Sequence, residues 1–202
     1  ILLGEHAVVY HSPAIAIPLT SLRVRATVEP GIGQPQGKIH IKAAMLGLDH
    51  DLSELGKDHF LVQTLELLFS FLGLQQHPTC RISLTSELPI AAGLGSSAAI
   101  ALSLLRAMSA FLGHPLGLHE LNDLAYKSEQ AVHGRPSGID NTVITNEKPV
   151  YYQRGEELQF IQPGRELSFV VADSGIRKST RESTAQIAED LAADPDSIRH
   201  HL

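Results

Sequence analysis

Residues 88–99 read LPIAAGLGSSAA, set between an alternating segment, RISLTSEL, and a long apolar run, AAIALSLLRAMSAFLG. The alternation predicts a strand. The run predicts a helix apolar on nearly every side, and so a central, buried one. Joining them through two glycines and two serines weakens local order, because glycine is costly to fix and serine is a poor interior helix residue. What the joint holds accounts for this. A helix start leaves about four amide donors unpaired and carries roughly half a positive charge. Gly93 and Gly95 have no Cβ, so a phosphate can approach the backbone closely. Ser96 and Ser97 are placed to cap the helix or to turn a hydroxyl toward a metal-bound phosphate. Strand, glycine loop and helix together predict a polyphosphate cradle.

Other phosphate motifs fit less well. GLGSSA matches the dinucleotide pattern G-x-G-x-x-A letter for letter, but four residues separate Leu88 from Gly93, where that fold turns straight off its strand. The acidic residue expected about 20 positions on is missing as well, the nearest being Glu120. No Lys-Ser/Thr pair follows the glycines, which excludes a Walker loop.

Elsewhere the chain reads as short elements. ILLGEHAVVYHSPAIAIP alternates apolar runs with Gly and Pro, as strands joined by turns, and SLRVRATVEP has a clear period of two. HFLVQTLELLFSFLG has helical spacing at Phe60, Thr64, Leu67, Leu68 and Phe71 and stops at Gly73. GLHELNDLAYKSEQAVHG is amphipathic, with Leu118, Leu121, Leu124, Ala125, Ser128 and Val132 on one face. RPSGIDN reads as a loop, KPVYYQ and LQFIQP as a hairpin, ELSFVVADSG as a strong strand, and STRESTAQIAEDLAADP as a capped helix. Pro163-Gly164 is the best boundary, giving a first domain over 1–163 and the opening of a second over 164–202. The chain begins at Ile1, within what reads as a strand, and stops at SIRHHL as a helical pattern develops. It therefore reads as a piece of a longer one.

Three acids stand out. Glu129 lies at the margin of its helix's apolar stripe, where a carboxylate is costly unless paired or bound to a cation. Asp140 follows HGRPSGI, where a proline and two glycines tighten the backbone. Glu5 and His6 put a charged pair inside an otherwise apolar strand and invite a ligand. An anion cradle, an acid for Mg²⁺ and an acid to orient or deprotonate a hydroxyl are the minimum that phosphoryl transfer needs.

Bulk properties narrow the partners. With 43% hydrophobic and 19% charged residues the chain is ordinary globular material, and a net charge of -6 with no basic block argues against nucleic acid or an anionic membrane surface. Its single cysteine, Cys80, cannot form an internal disulfide, which fits a reducing cytoplasm. No apolar stretch approaches the roughly 20 residues of a membrane span.

Three separated blocks, PIAAGLGSSAA, ILLGEHAVVY and EQAVHGRPSGIDN, with DSGIRKSTRE downstream, resemble the small-molecule kinases named for galactokinase, homoserine kinase, mevalonate kinase and phosphomevalonate kinase. The first block matches that family's nucleotide motif at every fixed position, and the others are similar to its mevalonate-phosphorylating branch. The resemblance implies an α+β fold: an N-terminal domain like domain 2 of ribosomal protein S5, then the start of a ferredoxin-like C-terminal domain. It implies that Pro89, Ala92, Gly93, Leu94, Gly95, Ser96, Ser97 and Ala98 bind ATP, that Ser97 and Glu129 ligate Mg²⁺, and that Asp140 is the catalytic base. It also implies that Glu5, His6 and Thr180 contact mevalonate, whose C5 hydroxyl would be phosphorylated to 5-phosphomevalonate on the route to isoprenoids. A homodimer is compatible with it. The family's lysine before ILLGEH and its third, glycine-rich motif fall outside this chain, and His11 stands where glycine is usual. Other branches of the family, or a nucleotide sensor that has lost turnover, are the competing readings. KSTRE and the Glu5-His6 pair argue against the other branches. The combination of Ser97, Glu129 and Asp140 argues against the sensor.

Overall fold

A computed structural model describes residues 1–5, 7–133, 136–173 and 175. In chain order the strands are β1 (Ala14–Ala16), β2 (Val24–Pro30), β3 (Ile39–Ala43), β4 (Leu48–Asp51), β5 (Cys80–Ser86), β6 (Val150–Tyr152) and β7 (Gln159–Phe160). The helices are α1 (Phe60–Phe71), α2 (Ser96–Phe111), α3 (Leu118–His133) and α4 (Ile139–Asn146). Two sheets form, one ordered β2-β5-β3-β4 and a smaller one ordered β1-β6-β7.

The larger sheet follows from its alternation. Cys80, Ile82 and Leu84 of β5 are buried while Arg81, Ser83 and Thr85 face out, and Ile39, Ile41 and Ala43 of β3 repeat the pattern. Antiparallel β2 sets Val28 opposite Ile82, and parallel β3 sets Ile41 opposite the same residue, so one face is continuously apolar. The helices cover it. α2 lies along β2, where the Ser103 hydroxyl donates to the Val24 carbonyl at 3.0 Å. α1, α3 and α4 enclose its other sides, as expected for a helix without a polar face. Leu102, Leu104 and Leu105 are at most 1% exposed. Each such side chain contributes roughly 1.5–3 kcal/mol, against roughly 1–2 kcal/mol to order one backbone residue. The helix therefore holds its glycine-rich entry in place.

Three expectations needed correction. The described residues among the first twelve form no continuous strand. Leu3 makes a single bridge to Ile15, after which Glu5 lies in a turn and Ala7–Tyr10 form a 3-10 turn. The break is at Gly4, with φ +84° and a backbone so close to β1 that a Cβ would meet the Pro13 carbonyl at 2.6 Å. RPSGIDN is not wholly a loop, since α4 starts at Ile139 and takes Asp140 into its first turn. ELSFVVADSG forms no strand among the described residues. Its Leu167, Phe169, Val170 and Val171 are exposed, and no β partner satisfies their backbone.

Helix phase also differs from the pattern. α1 turns Leu61, Thr64, Leu65 and Leu68 inward, leaving Phe71 50% exposed, and α3 leaves Leu118 at the surface. Buried Thr64 is tolerated because its hydroxyl donates to the Phe60 carbonyl at 2.8 Å and accepts from Ser128 at 2.6 Å, tying α1 to α3. A second apolar cluster, built on Val8, Ala16, Ile139, Val143 and Val150, joins α4 to the small sheet and to the 3-10 turn. Among the described residues no helix is long and apolar enough to cross a membrane.

Candidate functional site

β5 ends where the Ser86 hydroxyl folds back on Leu88, donating to its carbonyl at 2.9 Å and accepting from its amide at 3.1 Å. Glu87 is held at the start of β2, its amide on the Arg23 carbonyl and its carboxylate on the Arg23 amide. The chain then turns through Pro89 to Gly95 with positive φ at Ala91 (57°), Gly93 (72°) and Gly95 (69°). Two of these are glycines, as φ > 0 favours. Ala91 is the costly one, and no sequence pattern marked it. Gly93 is exposed, and a Cβ there would meet nothing within 4 Å, so the backbone faces open space. Gly95 itself is the residue before α2, left-handed and without a side-chain cap, which corrects the expectation that Ser96 or Ser97 caps the helix.

The amides of this segment remain available. Among the described residues no backbone hydrogen bond outside the helices and strands uses a donor between Pro89 and Ala98, the next donor being Ala99 to the Gly95 carbonyl at 3.0 Å. Ser96 and Ala98 are buried, while Gly93 is exposed and Leu94, Gly95 and Ser97 are half-buried. Pro89, Ala92 and Leu94 are half-buried in the turn. Unpaired amides, glycine access and a helix N-terminus are the features that an anion cradle uses.

Ser97, one residue into α2, donates its hydroxyl to Glu129 Oε1 on α3 at 2.5 Å. Glu129 is only 8% exposed, buried more deeply than its place at the edge of the stripe suggested. A carboxylate this enclosed needs a partner. The pair supplies one hydroxyl and one carboxylate beside the cradle. Among the described residues no group of three or more His, Cys, Asp or Glu could hold a metal alone. This donor set suits a small hard cation that keeps waters and takes its other ligands from phosphate.

Asp140 stands in the first turn of α4, where the helix dipole favours a carboxylate. It abuts the cradle. A Cβ placed on Gly95 would lie 3.5 Å from Asp140 Cγ and 3.4 Å from Ile144 Cδ1. α4 is held against α3 by buried Asn141, whose amide donates to Asn122 Oδ1 at 2.7 Å. The Thr142 hydroxyl closes the turn on the Gly138 carbonyl at 2.6 Å. Asn122 and Asn141 carry no motif that sequence reasoning could use, because their pairing exists only once the two helices meet.

Gly95, Leu94 and Asp140 share the wall of a cavity of about 420 Å³, with Leu102, Val143 and Ile144 also lining it. Ser97 and Glu129 are not among its lining residues. Neither is Glu5, which sits exposed in its turn and is engaged with a partner of its own. The other two expected substrate contacts, His6 and Thr180, lie outside the described residues. The geometry thus joins the loop to Asp140 on one side and to Glu129 on the other, and leaves Glu5 outside the cavity.

Residues 59–146 match the description "GHMP kinases N terminal domain". The chain is 34% identical to a mevalonate kinase of Thermococcus sibiricus over 98% of its own length and 62% of that relative's. It thus spans under two thirds of that protein. A mevalonate kinase structure from methicillin-resistant Staphylococcus aureus matches 80% of the chain and 52% of its own at 31% identity and TM-score 0.59. The structure of L. major mevalonate kinase in complex with R-mevalonate matches 99% of the chain and 61% of its own, with TM-score 0.70; at 21% identity this concerns the fold alone.

Proposed function

We infer that this chain belongs to the GHMP kinases, whose N-terminal domain description matches residues 59–146, and that the protein containing it transfers the γ-phosphoryl group of ATP to the C5 hydroxyl of mevalonate. The observation that carries the reading is the approach of Asp140 to Gly95, which puts a carboxylate beside a run of unpaired amides. In this reading the amides from Gly93 to Ser97 hold the phosphates, and their fixed dipoles stabilise charge on the transferred group. Asp140 accepts the hydroxyl proton as the alcohol oxygen bonds to the γ-phosphorus. The bond to the bridging oxygen breaks, and ADP and 5-phosphomevalonate leave. Ser97 and Glu129 would hold Mg²⁺, which when bound neutralises phosphate charge. The choice of mevalonate is supported by the relatives' identity along nearly the whole chain. Glu5, His6 and Thr180 remain proposed contacts for its remaining oxygens.

Residues 1–163 are proposed as the nucleotide-binding domain. The division is supported by β7 ending at Phe160 and by the absence of helix or strand in the described residues from 164 onward.

The test is ADP release by the full-length protein with mevalonate, phosphomevalonate or homoserine. Turnover with mevalonate and little with the other two is expected. Preference for either of the others, or release indifferent to all three, overturns the substrate. Glu129→Gln is expected to move the Mg²⁺ concentration for half-maximal rate upward by about tenfold or more. An unchanged Mg²⁺ titration removes Glu129 from the metal's surroundings.

A further inference from the structure

The turn that presents Asp140 is gripped from outside its own helix, and the grip comes from one short segment. The Tyr152 hydroxyl, at the end of β6, donates to the Ser137 carbonyl at 2.8 Å. It lies against Gly138, where an added Cβ would sit 2.8 Å from that hydroxyl and 3.3 Å from the Tyr126 ring. Two residues on, Arg154 Nη2 donates to the Tyr126 hydroxyl at 2.9 Å, on α3 one turn before Glu129. The same segment holds the N-terminal turn. His11 Nδ1 donates to the Arg154 carbonyl at 3.3 Å and Gln153 Nε2 to the His11 carbonyl at 3.1 Å. His11 has φ +67°, a conformation rare for its type, so these bonds hold a strained corner.

We propose that residues 152–154 are a positioning hub, through which Tyr152 and Arg154 fix the Asp140 turn, the Glu129 helix and the N-terminal turn relative to one another. The proposal rests on the phosphoryl-transfer reading above. Neither side chain needs to touch substrate. Each acts through a backbone carbonyl or another side chain, so both are positioning residues. In-line transfer is sensitive to placement, and a shift of about 1 Å in a reacting group costs on the order of 10²-fold in rate. Burial raises the Tyr152 hydroxyl above the ordinary tyrosine range, which keeps it a neutral donor near neutral pH.

The experiment uses full-length Tyr152→Phe, Arg154→Ala and Arg154→Lys, with steady-state kinetics beside hydrogen exchange of the Thr142 amide, which donates to the Gly138 carbonyl. Tyr152→Phe keeps the ring and removes only the donor. Its kcat is expected to fall about tenfold or more, its KM for ATP to stay within about twofold, and its Thr142 amide to exchange faster. Arg154→Ala should show the same split, and Arg154→Lys should recover part of it. Folded Tyr152→Phe with wild-type kcat, or equal kcat in the two Arg154 variants, overturns the hub. If Tyr152→Phe does not fold, the Arg154 pair carries the test by itself. If the wild type phosphorylates none of the alcohols, the functional reading falls, and exchange at Thr142 alone judges the hub. Exchange at the wild-type rate overturns it, and faster exchange upholds it.

Discussion

Asp140→Asn is expected to lower kcat by about 10²–10⁴-fold while nucleotide affinity stays near wild type. The substitution preserves size and leaves α4 capped by Gly138, so the fold and the adjoining Gly95 backbone are undisturbed. What is lost is the capacity to accept a proton. The loop amides, which in the proposed mechanism act on the phosphates through the backbone, are untouched by it. Loss in kcat with little change in nucleotide binding therefore separates a base from a residue that merely shapes the cradle. The measurement is turnover by coupled ADP release, with equilibrium binding of ADP alongside. A mutant that keeps more than about a tenth of wild-type turnover is not missing its base, and the mechanism then needs another proton acceptor.

The second large effect is on stability. Gly138→Ala places a methyl at a residue with φ +89° and within 2.8 Å of the Tyr152 hydroxyl, with the Tyr126 ring on the other side. A left-handed conformation costs an L-residue roughly 1–2 kcal/mol, and forcing a methyl into filled space costs roughly 1–3 kcal/mol more. For a domain of this size that lowers Tm by on the order of 10 °C, measured by thermal unfolding with and without nucleotide. The control is Gly93→Ala, where the added methyl meets nothing within 4 Å. It carries only the backbone strain and is expected to fall by about half as much. Equal losses at the two positions would show that crowding by Tyr152 and Tyr126 contributes nothing.

The parts of the molecule legible in sequence are those whose cause is local. β5 and α2 announce themselves because alternation and an all-apolar run each admit one burial solution, and the glycines between them mark a backbone that side chains must not cover. Glu129 was partly legible. Its position at the edge of a stripe suggested a partner, but its depth of burial and its bond to Ser97 depend on how α2 and α3 meet. For Asp140 the local structure differs from the reading, since the residue expected in a loop lies in the first turn of α4. IDNTVITN is rich in β-branched and Asn residues that favour no isolated helix, and α4 exists because Asn122, Tyr152 and the second apolar cluster hold it. The failed strand at ELSFVVADSG has the opposite cause. Its pattern is genuine, but a strand is completed by a neighbour, and the described residues supply none.

The glycine-rich loop is the leading end of α2, the most enclosed helix among the described residues. Met108, fully buried toward the far end of α2, shares a rigid body with Ser96 and Ser97. Damage to packing at that remote point is transmitted along the rod to the cradle. A genetic screen for weak nucleotide binders would therefore return interior positions as readily as rim ones, and a map of such hits would trace the helix rather than the pocket.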